Sequence, residues 1–112
     1  MAKTFNADLM QGTLDMLILR VLHSDSLHGW GIAQRIHVLS SDILKVEEGS
    51  LYPSLYRMER KGLIKASWGI SELNRRAKFY KVTKTGMKYY ESEREKWIQL
   101  ASATAAVLGH SF

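Results

Sequence analysis

Apolar positions recur with helical spacing in four places along this chain and with strand spacing in one. Leu14, Leu17, Ile18, Val21 and Leu22 fall at i, i+3, i+4, i+7 and i+8, the stripe of an amphipathic helix. Asp8 and Gln11 have capping-box spacing ahead of it. Met10, Met16 and Leu19 lie off that stripe, which leaves more apolar surface on this helix than one small core needs. A turn at His23–Leu27 leads to a second predicted helix over Ser26–Leu39, with Ile32, Ala33, Ile36 and Leu39 inward and Gln34, Arg35 and His37 outward. Gly29 and Gly31 flank Trp30, so the backbone there is either tightly packed or closely approached by a partner, and packing is the preferred reading. Ser40, Ser41 and Asp42 break the pattern, and Ile43–Val46 has room only for a short strand.

The third helix is predicted to start near Leu51, capped by Ser50 and with Pro53 in its first turn, where a missing donor costs little. Leu51, Leu55 and Met58 make its core face, and Gly62 suits a left-handed end before Leu63. The period then changes from 3.6 to 2. Ile64, Ala66 and Trp68 alternate with Lys65 and Ser67, turn residues follow through Asn74, and KFYKVT returns with Tyr80 and Val82 on one face: a hairpin with a basic tip. Thr83 or Thr85 caps a last helix reaching Leu108, about 37 Å long. Such a helix outruns its own core. The stripe Tyr90, Trp97, Ile98, Ala101, Thr104, Ala105 and Leu108 continues into that second half and needs a covering surface, most economically a second copy of the chain.

Composition narrows the function classes. The 112 residues suit one core, and 46% hydrophobic content with a single Pro reads as globular and mostly helical. With no Cys there are no disulfides, thiolate metal sites or thiol nucleophiles, and a cytoplasmic setting is expected. No segment has signal-peptide or membrane-span character, so the chain is expected to be neither exported nor embedded. The four histidines, His23, His28, His37 and His110, fall on different elements without carboxylates at ligand spacing. They read as surface residues, with no cofactor, no metal and no enzymatic constellation expected.

Charge changes the picture more. Residues 57–88 hold ten of the sixteen Lys and Arg against only Glu59 and Glu72, a local +8, while the rest of the chain sums to −3. Segregation of this kind is a footprint for a polyanion, most simply double-stranded DNA. Outside its core face the third helix carries Ser50, Tyr52, Ser54, Tyr56, Arg57, Arg60 and Lys61, chemistry suited to phosphates and base edges, and the hairpin adds Arg75, Arg76 and Lys78. These ten are the candidate DNA-binding residues. A protein-docking module of the same fold is the main alternative, but it has no need of paired arginines beside a hydroxyl-rich helix.

The predicted fold is therefore mainly α with a small β-hairpin, a winged helix-turn-helix at residues 1–83, followed by a long C-terminal dimerisation helix at 84–112. GTLDMLIL at 12–19, LHGWGIAQRI at 27–36, EGSLYPSLYRMERKGLI at 48–64 and RRAKFYKVTKTG at 75–86 resemble the motifs of PadR-family transcriptional regulators, in the branch with a single C-terminal helix. Trp30 and Leu73 depart from that pattern, which usually has Tyr and a polar residue there. The resemblance implies a repressor that binds an inverted-repeat operator as a homodimer, built from the last helix and the first: Leu14, Ile18, Trp97, Ile98, Ala101, Ala105 and Leu108. It also implies release by a planar aromatic or phenolic small molecule. Trp97, paired with its symmetry mate, is the candidate effector-binding residue.

Overall fold

The computed structural model describes residues 4–6 and 12–110. In chain order these form β1 (Phe5–Asn6), α1 (Thr13–Val21), β2 (Leu27–His28), α2 (Gly29–Leu39), β3 (Leu44–Lys45), α3 (Glu48–Arg60), β4 (Ile64–Ile70), β5 (Arg76–Val82) and α4 (Lys84–Val107). The core lies where α1, α2 and α3 meet the root of the β4–β5 hairpin. Ile18, Leu19, Ile32, Leu51, Leu55, Met58 and Ile64 are all fully buried there.

Asp8, Met10 and Gln11, the residues of the expected first cap and its apolar neighbour, lie outside the described residues. Within them α1 follows Gly12, which has a positive φ and makes no side-chain cap bond. Leu19 does not lie outside the core as its spacing suggests. It is buried in the chain's own core, and Met16 packs against that core.

Two helix starts differ from expectation. Leu27 and His28 are extended and pair antiparallel with Tyr80 and Phe79 of β5, so α2 begins at Gly29 and not at Ser26. His28 Nδ1 accepts the Gly31 N–H at 3.0 Å, which makes an imidazole the cap. Leu39 ends exposed, because the helix stops there and the chain reverses through Ser41 and Asp42 with positive φ. In α3 the carbonyl of Glu47 accepts from both Ser50 and Leu51, so the helix begins almost a turn before the expected cap at Ser50. Pro53 therefore sits in the second turn. It removes the bond to the Gly49 carbonyl, and Gly49 is exposed, so water can replace it.

The end of α3 follows the predicted rule. Gly62 has φ 75°, its N–H reaches the Glu59 carbonyl at 3.0 Å, and the Leu63 N–H reaches Met58 at 2.9 Å, the paired bonds of a Schellman ending. Leu63 is thereby turned into the core. The hairpin runs from Ile64 opposite Val82 to Ile70 opposite Arg76, and β2 adds a third strand in the order β2-β5-β4. β1 pairs separately, in parallel, with β3. The hairpin leaves the core as it goes, so Ile64 is buried, Ala66 half-buried and Trp68 60% exposed.

Thr83 caps α4, its hydroxyl accepting the Gly86 N–H at 3.0 Å. The first turns of α4 belong to the core of the winged part. Gly86 leaves no room for a Cβ against the Leu63 carbonyl, and Tyr90 is buried with its ring 4.8 Å from that of His23. The second half carries Trp97, Ile98, Leu100 and Leu108 exposed, as expected of a helix of 24 residues, about 36 Å.

Candidate nucleic-acid interface

α3 is held with Tyr52, Tyr56, Arg60 and Lys61 on the outside, because Leu51, Leu55 and Met58 claim the opposite face. Tyr52 is positioned from α2: a Cβ on Gly29 would stand 2.5 Å from the Tyr52 hydroxyl, so the close glycine is a packing feature. Ser50 is half-buried in the first turn.

Two of the expected DNA-binding residues on α3 are occupied elsewhere. Ser54 is 4% exposed, since it lies beside Leu51 and Leu55 on the edge of the core face, and it cannot present its hydroxyl to a groove. Its Oγ accepts instead from Arg57 at 3.3 Å. The same Arg57 nitrogen spans both carboxylate oxygens of Asp15 in α1, at 2.9 and 3.0 Å.

The wing meets this helix along one side. Lys78 Nζ is 3.4 Å from Glu59 and within 6 Å of the ring centres of both Tyr56 and Tyr80, which joins β5 to α3. Burial raises the Tyr80 hydroxyl above the usual phenol range, and Lys78 opposes part of that rise. The tip is a closed loop. Ser71 N–H donates to Arg75 O at 2.8 Å, Asn74 N–H to Ser71 O at 2.9 Å, and Asn74 adopts φ 58° to complete the turn. Glu72 reaches back to His28 Nε2 at 3.2 Å, and that contact, with backbone hydrogen bonding as the larger cause, lowers its carboxyl from the ordinary value. Arg75 and Arg76 are both exposed, and the Arg76 guanidinium lies over the Trp68 ring.

Between these elements is an open, largely apolar cleft of about 360 Å³ whose walls include Trp30, Tyr52, Trp68, Arg75, Arg76 and Lys78. Thus the structure brings Tyr52 together with Arg75, Arg76 and Lys78, while Arg60 and Lys61 stand exposed at the far end of α3. Sequence reasoning missed Trp30 and Trp68 as walls of this cleft and Asp15 as the partner of Arg57. The flanking glycines of Trp30 were a hint, and so was an acid interrupting the apolar run of α1.

The histidines correct another expectation. His23 binds the Leu19 carbonyl, His37 the Leu44 carbonyl, and His28 caps α2 while holding the wing tip, so these three are structural and not plain surface residues. Among the described residues no cluster of three His, Cys, Asp or Glu could hold a metal ion, and no helix is long and apolar enough to cross a membrane.

On α4 the Trp97 region forms a second apolar groove, about 420 Å³, with Ala101, Thr104, Ala105 and Leu108 in its walls. Trp97 and Ile98 are about two-fifths exposed, and Leu108 more so. Ala105 is buried close to the helix end, where His110 folds back to the Ala105 carbonyl at 2.8 Å. Leu14 and Ile18 differ from expectation. Both are buried in the chain's own core and leave no surface for a partner.

Comparison with known proteins agrees with this arrangement. Residues 18–92 match the transcriptional regulator PadR-like family. A transcriptional regulator from Clostridium thermocellum superimposes with a TM-score of 0.79 at 27% identity, covering 92% of this chain and 97% of the other. A PadR-like transcriptional regulator from Bacillus cereus gives 0.74 at 26% identity, covering 88% and 93%. A PadR family transcription regulator from Clostridium difficile gives 0.73 at 29%, covering 87% and 99%. With a winged helix, a basic wing beside the third helix and a family match over two-thirds of its length, this chain belongs to the PadR-like family of transcriptional regulators.

Proposed function

We propose that the protein is a sequence-specific DNA-binding regulator, acting in the cytoplasm as a repressor, that binds an inverted-repeat operator as a homodimer and is released by a planar aromatic molecule. The observation that carries this reading is the juxtaposition of Tyr52 and Tyr56 on α3 with Lys78, Arg75 and Arg76 on the wing. In this reading α3 enters the major groove and offers Tyr52 and Tyr56 to base edges, while Arg60 and Lys61 hold phosphates. Arg75 and Arg76 at the wing grip flanking backbone or the minor groove. Trp97, Ile98, Ala101 and Leu108 cover their counterparts in a second copy, Ala105 being buried within its own chain, and the groove beside Trp97 takes the aromatic effector.

The experiment is retention of genomic fragments by the purified protein, followed by anisotropy titration of the best-retained fragment between 50 and 200 mM salt. If each subunit neutralises three to five phosphates, affinity falls by roughly 10³–10⁵ across that range. An affinity flat with salt would remove the physical basis of the reading.

A further inference from the structure

Arg57 stands out among the cations of α3 because its charge is already matched. Its side chain is about half-exposed, yet one guanidinium nitrogen lies 2.9 and 3.0 Å from the two oxygens of Asp15 and 3.3 Å from Ser54 Oγ. The Asp15 side chain is only 14% exposed. It sits in the first turn of α1, where the helix dipole favours a negative charge. With its carboxylate side shielded, this contact is screened less than one between two fully exposed groups. Tyr89 of α4 lies close enough to feel both charges: its hydroxyl is raised chiefly by burial and then by Glu93, with Asp15 raising and Arg57 lowering it further.

We propose that Arg57 is a positioning residue and not a phosphate contact: Asp15 holds its guanidinium against α1, fixing the angle at which α3 is presented and keeping one cation of the recognition helix away from the DNA backbone. The inference rests on the DNA-binding reading above and deepens it. A flexible arginine facing the groove would grip any duplex, because phosphate contacts carry no sequence information. Tied to Asp15, the same residue adds orientation without adding indiscriminate affinity. The pair thereby favours discrimination over total affinity.

The test compares the wild type with Arg57→Gln, Asp15→Asn and the double variant. The probes are the best-retained genomic fragment and a random-sequence duplex of equal length, each titrated from 50 to 200 mM salt. Arg57→Gln should leave the slope of log affinity against log salt unchanged while narrowing the ratio between the two duplexes. Asp15→Asn keeps the shape of the side chain but frees Arg57. It should steepen the slope by about 0.9 for each subunit and tighten binding to the random duplex. In the double variant the slope should return to that of the wild type. A slope lowered by about 0.9 per subunit in Arg57→Gln, or a steepening that persists in the double variant, overturns the proposal. If Asp15→Asn does not fold, the slope of Arg57→Gln decides alone. Loss of this inference with salt-sensitive wild-type binding intact leaves the regulator reading standing, whereas a wild type that retains no DNA overturns both.

Discussion

The guanidinium of Arg76 lies over the indole of Trp68, 4.4 Å from the ring centre, across the two strands of the wing. The contact orders a long side chain before any DNA arrives. It also accounts for an indole standing 60% exposed on a strand whose root is buried. We predict that Trp68→Ala weakens DNA binding although it removes no charge. Exposed cation–π contacts contribute about 0.5–1 kcal/mol each, so the loss should be about two- to fivefold per subunit. Arg76→Ala should cost more and lower the salt slope, while Trp68→Ala leaves the slope alone. Equal slopes for both variants would show that Arg76 does not meet phosphate.

Gly86 is set against backbone. A Cβ there meets the Leu63 carbonyl and carbon, which are pinned by the end of α3 and cannot rotate away. Gly86→Ala should therefore destabilise the fold by about 3 kcal/mol, the upper part of the usual range for overpacking. In a chain of this size that lowers the Tm by about 10 °C or more. Thermal unfolding followed by circular dichroism measures it, and an unchanged Tm would mean that α4 starts elsewhere.

Self-association is expected to depend on the far half of α4. Leu108→Asp or Ile98→Asp would bury an unpaired carboxylate in a dimer, whereas Gln99→Asp on the opposite side of the helix would not. Sedimentation should give about twice the 12.8 kDa chain mass for the wild type and Gln99→Asp, and a shift toward monomer for the other two. A monomeric wild type at micromolar concentration would remove the two-fold operator as well.

For the groove on α4, titration with a hydroxycinnamate or a planar aromatic dye should quench tryptophan emission and release DNA. Trp30 and Trp68 are exposed and also emit, so Trp97→Phe is the necessary comparison. Binding that is unchanged in Trp97→Phe would make this indole an interface anchor only.

Alkaline pH provides a further check. Burial raises the hydroxyls of both Tyr80 and Tyr89 above the ordinary value of 10.0, so each holds its proton more tightly folded than unfolded. Their contribution to stability is complete below pH 10 and is lost as pH climbs through their folded values. Absorbance at 295 nm should show late-ionising phenols, and the denaturation midpoint should drop over the same range. Tyr80→Phe should flatten that drop.

The features legible in the sequence are those set by neighbouring residues. Leu51, Leu55 and Met58 define a helix face by spacing, Gly62 ends that helix by its conformational freedom, and Thr83 caps the next by its hydroxyl. The features that escaped depend on partners far along the chain. Leu27 and His28 become a strand only because Tyr80 and Phe79 come alongside them. The helix start at Glu48 is set by a main-chain carbonyl and leaves no mark in side-chain type. The site was divided in the same manner. Tyr52, Tyr56, Arg75 and Arg76 could be recognised as an exposed, DNA-compatible set, but Ser54 was lost to the core, and Arg57 looks free until Asp15, 42 positions earlier, is folded against it.

Thr83 does more than begin a helix. Its hydroxyl lies 2.6 Å from the Gly62 carbonyl and 3.1 Å from that of Leu63, its own N–H bonds Leu63, and its oxygen receives Gly86. The end of α3, the residue that follows β5 and the root of α4 are thus one knuckle with no slack loop between them. If α4 pivots as a rigid rod of about 36 Å, a shift of about 3 Å at its far end corresponds to a turn of roughly 5° at its root, where Gly86 lies against the Leu63 carbonyl at the turn that closes α3.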